Sequence, residues 1–166
     1  MKKLGSRGQR VLKIIHLCLA SLWLGGAVAL NLMITFLGPG ESGGELLAYD
    51  LARIFMDDFI IIPGALGCLL SGLLISLFTP WGFFKHRWVA VKWILTVAGI
   101  LFGTFYLGPR IEGQPGITLE LGLAAAVDPV YLANRLENLA GGWFQITVLI
   151  FMVAISTLKP WKKRGS

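Results

Sequence analysis

Charged residues are scarce in this chain: they make up 14% of its 166 residues, whereas hydrophobic residues make up 55%. This balance is too apolar for a soluble domain of the same length. The chain also has only two histidines and two cysteines, and none of them follows a CxxC or Cys/His metal-binding spacing. The sequence has no phosphate-binding glycine loop. A Ser/His/Asp set is not expected either, because the histidines and the acidic residues fall in different segments. Hydrolase chemistry is therefore not expected.

Long apolar segments take up most of the sequence instead. Each is long enough to cross a hydrocarbon core, which requires about 20 helical residues. The first follows a basic start, but its apolar run is too long for a signal peptide and no small-residue cleavage site follows it, so we expect a retained helix. The sequence thus predicts an all-α membrane protein with a single transmembrane domain over residues 1–166. Its four helices are expected at about residues 11–37, 45–78, 84–109 and 139–159.

The positive and negative charges lie in different parts of the chain. Twelve of the fifteen basic residues fall in three segments: Lys2, Lys3, Arg7, Arg10 and Lys13; Lys85, Arg87 and Lys92; Lys159, Lys162, Lys163 and Arg164. All nine acidic residues fall in the two other connections. Because Lys and Arg concentrate in cytoplasmic flanks, we expect an up-down-up-down bundle with both termini cytoplasmic, in the bacterial inner membrane. The net charge of +6 then reflects topology and contact with the lipid bilayer rather than nucleic-acid binding.

Short helical segments are expected in the two outer connections. Residues 45–56 resume helical spacing before the second apolar run and place Asp50, Arg53 and Asp57 on one face, where Arg53 and Asp57 could pair. Asp57 and Asp58 are expected to pair with Arg110. A mildly amphipathic stretch at 119–139 predicts a short helix on the outer rim. Within the second helix, a proline at position 63 predicts a kink.

His16 and Lys92 lie within apolar helices, where an ionisable group is costly unless it is paired, ligated or facing water. Trp23 lies seven residues after His16 and therefore nearly on the same face of the helix. We expect these residues to line a site inside the bundle. Two simpler interpretations stay open: Lys92 could extend to the headgroups, and His16 could make an interhelical hydrogen bond.

Metal or haem ligation is the more specific interpretation of His16, since a neutral imidazole is a common metal ligand. The only second histidine is His86, so a bis-histidine centre would be His16 with His86. His86 precedes Lys92 by six residues, about 120° around a helix, so only one of the two is expected to face His16. Cys18 and Cys68 are interpreted as buried small hydrophobic residues.

Two segments resemble known families. Residues 12–26, which run from LKIIH to WLGG, and residues 87–93, RWVAVKW, resemble small bacterial membrane proteins related to copper resistance protein D and a neighbouring uncharacterised membrane family. A His in the first helix and a Lys in the third is also similar to the haem-binding bacterial protoporphyrinogen oxidase family. This resemblance implies His16 as an axial haem ligand, and Lys92 as a second ligand or as a partner of a propionate or substrate.

The function expected from the sequence is a haem b membrane protein in redox or electron transfer, acting with quinol or with another membrane protein. If the chain is an enzyme, it is a membrane oxidoreductase. His16, Lys92, His86 and Trp23 are its candidate cofactor-binding residues. The alternatives are a transporter of copper or another small solute, and a non-catalytic partner subunit.

Overall fold

The computed structural model describes residues 3–159 and 161, and within them four helical stretches are long and apolar enough to cross a membrane. These stretches are Ser6–Phe36, Gly43–Phe78, Arg87–Val127 and Pro129–Leu158. The protein thus has the helices of a multi-pass membrane protein. Its α-helices are α1 (Ser6–Phe36), α2 (Gly43–Met56), α3 (Ile62–Phe78), α4 (Arg87–Phe102), α5 (Gly108–Glu112), α6 (Gln114–Leu121) and α7 (Pro129–Leu158). Four of the basic residues predicted to be cytoplasmic lie outside the described residues, namely Lys2, Lys162, Lys163 and Arg164.

The last helix begins about ten residues earlier than the sequence pattern predicts. Asp128 caps it, because its side chain accepts hydrogen bonds from the N–H groups of Val130 and Tyr131, both at 2.9 Å. Pro129 occupies the first turn, where its missing N–H costs nothing. The single rim helix expected at 119–139 is therefore divided between α6, a 3₁₀ turn and the start of α7.

The four long stretches form a bundle in which α1 and α4 are diagonal. The α1 helix packs against α3 and α7, and α4 packs against the same two helices, while the described backbones of α1 and α4 do not meet. The core between them is formed by buried side chains from α1, α3 and α7: Trp23, Ala27, Ala65, Cys68, Ile146, Leu149 and Met152. Leu95 and Ile100 of α4 pack against this core from the fourth corner.

Two glycines of α3 allow it to approach α1 closely. A Cβ placed on Gly64 would lie 2.7 Å from the backbone nitrogen of Trp23, and one on Gly67 would lie 2.5 Å from the Leu19 side chain. Small residues let transmembrane helices pack backbone against backbone. This close contact fixes the register between α1, which carries His16, and α3, which carries Ser71.

Each of the two middle stretches contains one π-helical segment that ends two residues before a proline. The segments are Asp57–Ile61 and Gly103–Leu107, followed two residues later by Pro63 and Pro109. A proline has no N–H to donate and its ring clashes with the carbonyl four residues earlier, and a wider turn moves that carbonyl away. The disturbance predicted at Pro63 therefore takes the form of a π turn.

A buried polar network holds α2 against α6 and α7. Asp50 accepts hydrogen bonds from Arg53, from the Tyr131 hydroxyl at 2.9 Å and from the Thr118 hydroxyl at 2.6 Å. Asp50 and Arg53 are 1% and 3% exposed. The pairing of Arg53 with Asp57 is thus wrong, because Arg53 turns toward the protein interior and bonds the carboxylate one turn earlier.

Arg110 also has a different partner from the one expected. Its guanidinium pairs with Glu137 of α7 rather than with Asp57 or Asp58, and it lies 3.6 Å from the centre of the Tyr106 ring. The early start of α7 explains the difference, since it carries Glu137 on a helix beside α5.

Candidate functional site

A cavity of about 700 Å³ lies at the end of the bundle where α1 and α4 begin and α3 and α7 end. We call this the basic end, after its cationic lining residues Arg10, Lys13, Lys92 and Lys159. The start of α1 lies beside the end of α3, because the Leu4 N–H donates to the Phe78 carbonyl at 2.9 Å. The volume falls within the usual range for small-molecule and cofactor sites, about 300–1,000 Å³.

His16 lies in the wall of this cavity with a defined hydrogen-bond partner. Its Nδ1 is 2.8 Å from the Ser71 hydroxyl, which in turn donates to the Gly67 carbonyl at 2.6 Å. A hydroxyl has one proton to donate. We assign that proton to the Gly67 carbonyl, the shorter of the two contacts; with this assignment Nδ1 carries the hydrogen and donates to Ser71, and in the neutral ring Nε2 keeps its lone pair. Within the described residues Nε2 has no protein partner, so it is free to bind a ligand.

Lys92 lies in the same cavity, on the diagonal helix. Its Nζ is 2.6 Å from the Ser156 hydroxyl of α7. The side chain is half-buried and bonded within the bundle, which differs from the simple extension to the headgroups considered above. His16 from α1 and Lys92 from α4 therefore contribute to one site from opposite corners of the bundle.

The rest of the lining combines aromatic rings with positive charge. Trp81, Trp88 and Trp93 line the cavity, and Nζ of Lys159 lies 4.7 Å from the centre of the Trp81 ring. Among the described lining residues there are four cations and no carboxylate. Such a lining favours a flat or apolar ligand that carries negative charge at its edge.

The structure does not bring the other two predicted residues into the cavity lining. His86 occupies the N-cap position of α4 without a side-chain cap bond, and its ring packs beside those of Trp81 and Trp88, with ring-centre distances of 5.7 and 6.2 Å. Trp23 is 2% exposed and belongs to the packed core. Of His86 and Lys92, it is Lys92 that shares the cavity with His16.

Cys18 corrects one expectation of the sequence. It is exposed on the outside of α1 rather than buried, because it lies two positions from His16 and so on a different face of the helix. Cys68 is buried and lines the cavity. Within the described residues, His, Cys, Asp and Glu side chains form no cluster of three or more that would hold a metal ion alone. Any metal at His16 would therefore have to bring other ligands with it.

The sequence analysis missed Ser71, Ser76 and Ser156 as partners of site residues. Ser71 orients His16, Ser156 bonds Lys92, and Ser76 accepts from the Trp93 indole at 3.1 Å. A lone serine in an apolar helix is also typical of close helix packing, so its role depends on which helix faces it. All three lie near the basic end, as His16 and Lys92 do, and this shared depth is the signal that could have found them.

Comparison with known protein families, with characterised proteins and with solved structures gives no match to this chain.

Proposed function

We propose that this protein binds haem b in the cavity at the basic end, with His16 as an axial ligand, and acts in redox or electron transfer in the membrane. The observation that carries the proposal is the hydrogen bond between His16 Nδ1 and the Ser71 hydroxyl in the cavity wall; with Nδ1 assigned as the donor, Nε2 keeps its lone pair for a ligand. Metal-ligating histidines usually donate their other ring N–H to a fixed acceptor in this way.

The cavity also suits the remaining parts of haem b. The tryptophans offer apolar surface for a flat macrocycle, and the cations Arg10, Lys13 and Lys159 offer partners for its two carboxylates. Bound haem would supply one-electron redox chemistry. The chain itself would supply the axial nitrogen and hold the imidazole in one orientation through Ser71.

Lys92 has two roles compatible with its position. It could be the second axial ligand, which requires a neutral amine, or it could remain an ammonium that pairs with a carboxylate of the ligand. Its bond to Ser156 holds it at the corner opposite α1 in either case. A Lys92→Ala variant separates the two roles, since loss of an axial ligand changes the spin state of the iron whereas loss of an ion pair lowers affinity.

The proposed orientation places the basic end in the cytoplasm, with the four long stretches running up-down-up-down. This agrees with the concentration of Lys and Arg at one end of the described bundle. An electron partner that reaches the site through the bilayer would be a hydrophobic carrier such as a quinol, or another membrane protein. The membrane would be the inner membrane of a bacterium.

The proposal is tested by haem titration of the detergent-purified protein. Wild type should bind one equivalent and develop a Soret band, and His16→Ala should bind none. His86→Ala is the matched control, because His86 lies outside the cavity lining and its loss should leave stoichiometry unchanged. Loss of haem from the His86 variant, with retention by the His16 variant, would refute the assignment.

Copper transport is less well supported by the geometry. Of the residues that could join His16 as copper ligands, only Cys68 lines the cavity among those the structure describes, whereas Cys18 faces outward and Met33 lies outside the lining. A protein that remained colourless with haem but bound Cu(I) through His16 would favour that alternative, and one that bound neither would favour a partner subunit.

A further inference from the structure

We propose that the cavity at the basic end opens sideways to the lipid bilayer between α1 and α7, and that an anionic phospholipid occupies the opening. The phosphate of this lipid would lie against Arg10 and Lys13, and an acyl chain would lie against Leu17. All three residues line the cavity and are exposed. Within the described residues, this is also the side of the cavity that no hydrogen bond between helices closes.

The other three sides of the cavity are each closed by a side-chain contact between neighbouring helices. These contacts are His16–Ser71 between α1 and α3, Trp93–Ser76 between α3 and α4, and Lys92–Ser156 between α4 and α7. Each contact includes at least one residue of the cavity lining. The described residues of α1 and α7 form no comparable contact at this level, so the two helices are free to separate there.

The α1 and α7 helices pack closely only away from the basic end. There the Asn31 amide of α1 lies against Gly142 of α7, and Asn31 is 1% exposed. The two helices are antiparallel, and about 21 Å closer to the basic end they reach Leu17 and Ser156. Leu17 lies on nearly the same face of α1 as Asn31, yet it is 54% exposed. The face of α1 that is buried against α7 at Asn31 is therefore uncovered at Leu17.

This uncovered face is where the cavity reaches the surface of the bundle. Leu17 of α1 and Thr157 of α7 both line the cavity, and both are exposed. A side chain that lines an interior space and is also exposed marks an edge of its opening. Leu17 lies within the apolar run of α1, about 6 Å deeper than Lys13. The opening therefore faces lipid rather than water.

The edge of the opening has the same order of polarity as a phospholipid. Arg10, Lys13 and Leu17 recur at i, i+3 and i+7 and so form one row along α1. The two cations lie at the end of the apolar run, at the level of the headgroups, and Leu17 lies at the level of the acyl chains. The described lining has no carboxylate, so the ammonium group of a zwitterionic lipid would find no partner there. The charges thus favour a lipid with a net negative headgroup.

The lipid site does not depend on haem ligation, because it uses the cations and Leu17 rather than the His16 imidazole. The carboxylates of haem would use Arg10 and Lys13 as well. A phospholipid is therefore the occupant of the haem-free cavity, and it should compete with haem.

The test is native mass spectrometry of the full-length protein, purified without added haem, in micelles that contain phosphatidylglycerol or phosphatidylcholine. Wild type should retain one phosphatidylglycerol and bind it about tenfold more tightly than phosphatidylcholine, as expected for two cations near the headgroup. Glycerol phosphate has the anionic group without the acyl chains and should not displace the lipid. Equal affinity for the two lipids, or displacement by glycerol phosphate, would overturn the proposal.

The position of the opening is tested by a bulky residue at its edge. Thr157→Trp should narrow the opening and lower the affinity for phosphatidylglycerol several-fold. Thr147→Trp is the matched control, because both threonines are exposed on α7 and donate to a carbonyl four residues earlier, but Thr147 lies outside the cavity lining. This control should bind lipid like wild type. Equal affinities for the two variants would place the lipid elsewhere and overturn the proposal.

The headgroup contact is tested separately from the opening, so a misfolded tryptophan variant does not decide the outcome. The double variant Arg10→Gln/Lys13→Gln should lose affinity for phosphatidylglycerol and keep its affinity for phosphatidylcholine. Unchanged affinity for phosphatidylglycerol would overturn the proposal. His16→Ala should lose haem yet retain the lipid, so failure of the haem assignment and failure of the lipid site are distinguishable.

Discussion

The His16 Nδ1 and the Ser71 hydroxyl form a hydrogen bond across the α1–α3 interface, at 2.8 Å. This one contact orients the imidazole, and with the serine proton assigned to the Gly67 carbonyl of its own helix it also sets the tautomer. The contact depends in turn on the close approach of the two helices at Gly64. The chemistry proposed for His16 therefore rests on helix packing two turns away.

Removal of the serine hydroxyl should weaken haem binding without abolishing it. Ser71→Ala leaves the ring free to rotate or change tautomer, and loss of such a partner costs about 10–100-fold in metal affinity. Haem titration measures the change. Ser21→Ala is the control, since Ser21 is exposed on α1 and bonds only the Leu17 carbonyl. An affinity equal to wild type for Ser71→Ala would show that this hydrogen bond does not orient the ligand.

Arg10 and Lys13, two of the cations that line the cavity, should contribute to haem binding through charge alone. Arg10→Gln or Lys13→Gln should lower haem affinity by up to about fivefold each, the effect of an exposed ion pair worth up to about 1 kcal/mol. The loss should shrink as salt is added. Arg7→Gln, which removes a nearby charge outside the cavity lining, should have no effect. Equal losses for all three variants would mean that haem affinity depends on the net charge of the protein rather than on the charges in the cavity lining.

A methyl group at Gly64 should destabilise the bundle. Its Cβ would press on the Trp23 backbone at 2.7 Å, and overpacking of this kind costs about 1–3 kcal/mol. Thermal unfolding in detergent measures the effect for Gly64→Ala. Gly25→Ala is the control, because no atom outside its own helix lies within 4 Å of its Cβ position. If both variants unfolded at the wild-type temperature, the close α1–α3 contact would be absent in the protein.

The two ion pairs should differ in their contribution to stability. Asp50→Ala leaves the buried Arg53 without its partner and should cost about 3–5 kcal/mol. Glu137→Ala breaks the half-exposed pair with Arg110 and should cost less than about 1 kcal/mol. Chemical unfolding in mixed micelles compares them. A smaller loss for Asp50→Ala than for Glu137→Ala would contradict the buried network.

The membrane-spanning helices could be predicted from the sequence because hydrophobic length alone decides them. The start of α7 was missed for a local reason: Asp128 and Pro129 are a capping residue and a first-turn proline, but the segment that follows is too polar to look like part of a transmembrane helix. Partners of single charges, such as Arg53 and Arg110, were missed because they depend on which helices are neighbours.

The candidate site could be predicted only in outline. Helical spacing predicted that only one of His86 and Lys92 would face His16, and the structure places Lys92 in the cavity with His16. The same spacing put Trp23 near His16, but it could not show that Trp23 lies beyond the cavity in the packed core. Asn31 lies not far from the same face of α1, but the spacing could not show that its amide packs against Gly142 of α7.

The central claim is that His16 ligates haem b, and it is tested most directly by the optical spectrum of the protein purified from membranes supplied with haem. Wild type should show a Soret band, with sharp α and β bands after reduction by dithionite. His16→Ala should lose all three while remaining folded by circular dichroism. A colourless wild-type protein, or a His16→Ala variant with an unchanged spectrum, would contradict the assignment.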